Sequence, residues 1–192
     1  MTLDELRSYI STIKHLKCDT DTLEAKAAVG ALPQGLWRTL SAFSNTRGGI
    51  IILGLAEAKG EIIGVKNPAK LQQDLASMCS DMEPVIRPEI QSHRIDGHTL
   101  ITAEVPELDK RMKPCYYRSA GYTNGAFVRV SDGNRKLSQY EVHMMLSGRG
   151  QPKDDETPVP KTTLDDLQPR LVKGLTSRFT QTPKRSLFAS VR

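Results

Sequence analysis

Hydrophobic positions near the start of the chain fall at Leu3, Leu6, Ile10 and Ile13. That is the spacing of one helical face, and Thr2 followed by Glu5 supplies a capping box, so the pattern predicts a helix over about 2–15. "TLEAKAAV" is short and strand-like and ends at Gly30. Pro33 suits the first position of a second helix, whose apolar face is Leu36, Trp37, Leu40 and Phe43 and which ends near Asn45 to Gly49. The continuous run "IIILGL" reads as a fully buried strand, and "EIIGV" returns beside it as a hairpin across Lys59-Gly60. Asn67-Pro68 caps and opens a further helix, with Leu71, Leu75, Met78 and Met82 facing the core. Asp96-Gly97 turns "EIQSHRI" into "HTLITAEV". Two short strands, "CYYR" and "AFVRV", follow a basic loop, and a helix from about Ser138 to Leu146 completes the pattern. The predicted class is α+β, a mixed or antiparallel sheet with packed helices.

Residues 148–162 ("GRGQPKDDETPVPK" and its end) are rich in Pro, Gly and charge. The expected organisation is a domain over 1–148, a Pro- and acid-rich linker over 149–162, and a short helix with a basic C-terminal segment over 163–192. The last stretch, "RSLFASVR", reads either as the opening of a further domain or as a basic tail.

Length narrows this to one well-buried domain with extensions, since 192 residues rarely hold two full cores. The three cysteines (Cys18, Cys79, Cys115) are far apart and lack metal-ligand spacing, which argues against a disulfide framework or a zinc site and fits a reducing cytoplasm. No apolar run approaches the ~20 residues of a membrane helix, so no membrane partner is expected. Charge adds the most. Residues 1–109 carry 11 Lys and Arg against 15 Asp and Glu, whereas residues 110–136 carry seven cations against Asp132 alone. Such a strip suits a polyanion, because clustered cations release counterions when they meet phosphates, although a solvated face has the same composition.

The glycine pair in "SNTRGG" does not form a phosphate cradle of the Walker type, which needs a strand entering and a helix leaving. Here a helix enters, so Asn45 is expected in a left-handed backbone and Gly48-Gly49 in a tight turn, with Arg47 as an exposed cation. The acids Asp19, Asp21 and Glu24 precede or enter one strand, and Glu57 follows another. If those strands are neighbours, their carboxylates converge, and such oxygens hold Mg²⁺ or Mn²⁺; the ordinary fate of loop acids is solvation. The histidines have no metal-ligand spacing. In the basic strip, Lys110, Arg111, Lys113, Arg118, Arg129, Arg135 and Lys136 are interleaved with Tyr116 and Tyr117. On strands, Tyr116 would share a face with Arg118, and Phe127 with Arg129. Rings beside guanidinium groups are the usual means of low-specificity nucleic-acid binding.

"DTDTLEAK", "LSAFSNTRGGIIILGLAEAKGEIIGV" and "KPCYYRSAGYTNGAFVRVSDGNRKLSQYEVHMM" together resemble the Schlafen-type AlbA-like domain over about residues 15–148. The resemblance implies an α+β fold with nucleic acid, DNA or RNA, as the partner and no resident cofactor in this stretch. It also implies a place among bacterial transcriptional regulators, in which a GHKL-like ATP-binding region follows. Some Schlafen relatives cleave RNA with three carboxylates. Carried over, the first is Asp19 and the second Glu24, which would be the metal ligands, while the third position holds Ala56 with Glu57 adjacent. A neighbouring strand residue points to the opposite face, so Glu57 substitutes only if the strand has already ended. The leading expectation is nucleic-acid binding through the strip. The alternatives are a Mg²⁺- or Mn²⁺-dependent endoribonuclease using Asp19, Glu24 and Glu57, and an interaction module forming a homo-oligomer.

Overall fold

Thr2 does cap the first helix. In the computed structural model, which describes residues 1–57 and 59–148, its Oγ1 accepts the Glu5 N–H at 3.2 Å while the Glu5 carboxylate accepts the Thr2 N–H at 2.6 Å. Helix α1 (Leu3–Leu16) buries Leu6, Ile10 and Ile13. Strand β1 (Leu23–Lys26) precedes α2 (Leu36–Asn45), which starts at Leu36 rather than Pro33 because the Pro33 carbonyl is spent on a turn to the Leu36 N–H. Strand β2 (Gly49–Leu53) is shorter than the apolar run. Gly54, at φ +96°, bends the chain where a Cβ would stand 2.8 Å from the Leu100 side chain. The chain then forms a separate ladder, β3 (Leu55–Ala56) with β4 (Glu61–Ile62).

Asn67 caps α3 (Pro68–Ser80) by accepting the Lys70 N–H. Met82 lies outside that helix and opens β5 (Met82–Glu83). The strongest turn signal holds: Asp96 and Gly97 take φ +50° and +80° between β6 (Glu89–Ile95) and β7 (His98–Val105). "CYYR" contributes only β8 (Tyr116–Tyr117), since Arg118–Ala120 is a 3₁₀ turn leading into the short α4 (Gly121–Gly125). Strands β9 (Phe127–Val130) and β10 (Gly133–Lys136) form a ribbon before α5 (Gln139–Ser147), which Ser138 and Glu141 close with a second capping box. The linker and C-terminal segment expected over 149–192 lie outside the described residues.

The fold is α+β. Its principal sheet runs β1-β2-β7-β6, with β1 parallel to β2 and the other pairs antiparallel. Parallel neighbours need a crossover, which α2 provides. One sheet face packs Ile52, Ala25 and Leu100 on α1, and the other packs Ile51, Leu53 and Ile101 on α2 and α3. Cys79 and Cys115 sit in this second core, where burial pushes both thiols up to about 12. No helix among the described residues is long and apolar enough to cross a membrane.

Asn45 ends α2 without the expected left-handed backbone, which falls instead at Gly48 (φ +75°). The Asn45 side chain is buried and holds two distant segments. Its Nδ2 donates to the Cys115 and Phe127 carbonyls at 2.8 and 2.9 Å, and its Oδ1 accepts the Cys115 N–H at 2.6 Å. Ser41 Oγ adds bonds to the same two residues. Only a carboxamide offers both donors and an acceptor here. Asn45→Ala leaves buried backbone groups unpaired and is expected to cost about 2–4 kcal/mol, read from urea unfolding.

Candidate functional site

Strand β1 runs along the sheet edge, so its alternate side chains separate. Leu23 and Ala25 enter the α1 core, while Glu24 meets Thr39 of α2, with Lys26 two residues on. Glu24 is only 4% exposed. Its Oε2 lies 2.7 Å from Arg129 Nη1, and its Oε1 lies 3.0 Å from Lys26 Nζ and accepts from Thr39 Oγ1 at 3.3 Å. Arg129 of β9 is equally buried. It donates Nε and Nη2 to the Thr20 carbonyl and Nη1 to Asn134 Oδ1, and its guanidinium stands 5.2 Å from the Phe43 ring centre. Asn134 in turn donates to Thr39 Oγ1, closing a ring of four side chains: Glu24, Arg129, Asn134 and Thr39.

Lys26 Nζ is the second hub. It lies 2.7 Å from Glu57 Oε2, 3.0 Å from Glu24 Oε1 and 3.4 Å from Asp19 Oδ2. Strand β3 ends at Ala56, and this frees Glu57 to turn back onto the cluster. Asp19 Oδ1 accepts the Ala25 N–H at 2.8 Å. Burial, aided by the like charge of Glu24 and opposed by the Ala25 bond, pushes the Asp19 carboxyl up to about 7. Burial would also raise Glu57, but the hydrogen bond and charge of Lys26 outweigh it and hold Glu57 below its ordinary value. For Lys26, burial favours the neutral amine, yet the Glu57 bond and the Glu24 and Asp19 charges prevail and the ammonium is held more firmly than usual.

The structure therefore brings Asp19, Glu24 and Glu57 together, but around an ammonium. A divalent cation requires several oxygens at ~2.0–2.6 Å, and here Lys26 occupies their meeting point while the far oxygen of Glu24 faces Arg129. As placed, these residues do not fit Mg²⁺ or Mn²⁺, and no metal-holding group of three His, Cys, Asp or Glu occurs among the described residues. The sequence signal for Lys26 was its position two residues after Glu24, on the same strand face. Thr39 and Asn134 carried no such signal.

The basic strip divides in two. Arg129 and Lys113 belong to the interior: Lys113 is 8% exposed and lies 2.6 Å from Glu107 and 3.3 Å from the Thr46 carbonyl. The others are exposed. Arg135 forks onto Glu141 at 2.7 and 3.0 Å, Arg118 lies 3.6 Å from Glu83, and Arg47 lies 3.2 Å from Asp21. Among the described residues, Lys136 reaches Asn124, while Lys110 and Arg111, on the 3₁₀ turn Lys110–Met112, form no ion pair. Tyr116 and Arg118 do not share a strand face, because β8 stops at Tyr117. Tyr117 stacks on Trp37 at 5.1 Å, and Tyr116 meets Tyr122 edge-on at 6.1 Å.

Removing one partner of the Glu24–Arg129 pair strands a buried charge. Glu24→Gln or Arg129→Met is expected to cost about 3–5 kcal/mol, and the double variant much less than their sum, as a double-mutant cycle by urea unfolding would read. The pH dependence has the opposite sign to that of an ordinary salt-bridged acid. The folded protein keeps a proton on Asp19 that the unfolded chain has lost, so between about 4 and 7 stability falls as pH rises. Asp19→Asn is expected to flatten that slope in unfolding midpoints measured across the window.

A family model described as Schlafen, AlbA_2 matches residues 19–138. Among solved structures, the chain is similar to the N-terminal domain of a protein from Nitrosomonas europaea named as ATP-dependent DNA helicase RecG-related. That similarity is 29% identity over 68% of this chain and 91% of the other, with a TM-score of 0.51. A protein from Corynebacterium diphtheriae aligns over 94% of this chain and 41% of its own at 18% identity, with a TM-score of 0.49. No curated protein matches. The matched segment covers well over half of the chain and includes Asp19, Glu24, Lys26 and Arg129, and the chain belongs to the Schlafen AlbA_2 family.

Proposed function

We propose that this domain binds nucleic acid, DNA first, through backbone phosphates. The observation that carries the reading is the pair Lys110 and Arg111, exposed side by side without an ion-pair partner among the described residues. Lys136, Arg118 and Arg135 add further exposed cations; Arg118 sits in a loose surface pair of the kind that contributes little and exchanges readily for phosphate, whereas Arg135 is forked onto Glu141. The DNA-helicase-related name of the Nitrosomonas relative supports the same partner. Contacts of this kind position a duplex without reading its bases, so sequence preference should be weak. In the cytoplasm, such a module suits the nucleic-acid-holding part of a transcriptional regulator. Cleavage of RNA is the weaker reading, since Lys26 and Arg129 neutralise the carboxylates it would use.

A salt titration tests the proposal. Each phosphate contact adds about 0.9 to the log-log slope of affinity against salt for duplex DNA, so Lys110→Ala with Arg111→Ala should lower the slope by roughly 2 and weaken all duplex sequences alike. A wild-type slope near zero, or no binding at low salt, would sink the reading.

A further inference from the structure

A cation held by aromatic rings rather than by a carboxylate lies outside the basic strip. Arg38, the third residue of α2, is exposed, and its guanidinium makes no hydrogen bond or ion pair to a described residue. Aromatic rings hold it instead: it stands 5.3 Å from the Trp37 ring centre and 5.8 Å from that of Phe127. Trp37 is half-buried, stacks on Tyr117 at 5.1 Å with 20° between the planes, and meets Phe127 edge-on at 5.5 Å. Lys136 pairs with Phe127 in the β9–β10 ladder, and its exposed ammonium lies 3.4 Å from Asn124 Oδ1. A planar cation resting on a tryptophan, with a second exposed cation on the neighbouring ladder, combines a stacking surface with positive charge.

We propose that the Arg38–Trp37–Tyr117 stack, with Lys136, is a contact site for single-stranded nucleic acid, where an unpaired base lies against the Arg38–Trp37 surface and Lys136 meets the adjoining phosphate. The inference rests on the nucleic-acid reading above and adds a location and a strand state to it. A duplex keeps its base faces stacked internally, whereas a single strand offers them to rings and guanidinium planes. Arg38 is preorganised for this: its side chain already lies on a ring, so little freedom is lost on binding.

Trp37 is the sole tryptophan, so its emission reports on this site alone. Labelled oligodeoxythymidylate or oligouridylate would be titrated into the full chain, with label anisotropy measuring binding and Trp37 emission measuring contact. The expected result is quenching that follows anisotropy. Arg38→Ala should weaken single-strand binding about tenfold with duplex affinity nearly unchanged, and Arg38→Lys should not restore it, since lysine keeps the charge but loses the plane. An unchanged melting temperature shows that the exposed Arg38 variants are folded. Binding with unaltered Trp37 emission, wild-type affinity in Arg38→Ala, rescue by Arg38→Lys, or an equal loss for duplex would each overturn the inference and leave phosphate binding standing. Failure of every nucleic acid to bind at low salt would remove both.

Discussion

A carboxylate taken out of water must be answered by charge, and Glu24 is the place where this domain meets that requirement. Glu24 sits on an edge strand, almost wholly buried, between Arg129 and Lys26. Arg129 comes from β9, more than a hundred residues later in the chain. To supply it, the β9–β10 ribbon must lie against α2 beside β1, and Asn134 and Thr39 complete the enclosure. The position of the C-terminal ribbon is therefore fixed from the sheet edge as well as by its own apolar contacts. Lys26 answers the other side of Glu24 and gathers Asp19 and Glu57 as it does so.

Charge counted along the chain and charge available to a ligand differ accordingly. Two of the seven cations in residues 110–136 are consumed inside the protein, and two more lean on surface carboxylates. What remains accessible, Lys110, Arg111 and Lys136, is joined by an arginine from α2 that the linear count had assigned to an acidic region. The acid cluster shows the same effect in reverse. Three carboxylates that could have formed a cation cradle form one, but its occupant is a side chain of the same strand.

Much of the architecture was legible where local chemistry decides it. Thr2 with Glu5 and Asn67-Pro68 are signals in which a side chain satisfies nearby backbone, Asp96-Gly97 is one in which both residues accept a positive φ, and each marks its element in the structure. The convergence of Asp19, Glu24 and Glu57 was legible as a conditional, because it depended on β3 stopping at Ala56. Strand β10, "GNRK", was not legible: it carries no apolar alternation and exists because its partner β9 is anchored elsewhere. Asn45 does end its helix, but not in the expected left-handed backbone, and nothing local reveals that its carboxamide serves residues 70 and 82 positions away. Arg38 carried no signal in the sequence, because the ring beside it, Phe127, comes from β9.

The Asn45 bonds also have a consequence for the order in which the chain is made. Cys115 leaves the ribosome 70 residues after Asn45, a delay of roughly 4 to 14 s at ordinary synthesis rates. Throughout that interval the Asn45 carboxamide lacks its Cys115 and Phe127 partners, and Glu24 awaits Arg129 for longer still. The nascent N-terminal half can form its helices and hairpins but cannot finish its interior. The β9–β10 ribbon that supplies Arg129 also carries the exposed Lys136, so a newly made domain closes its core and gains that surface cation in the same step.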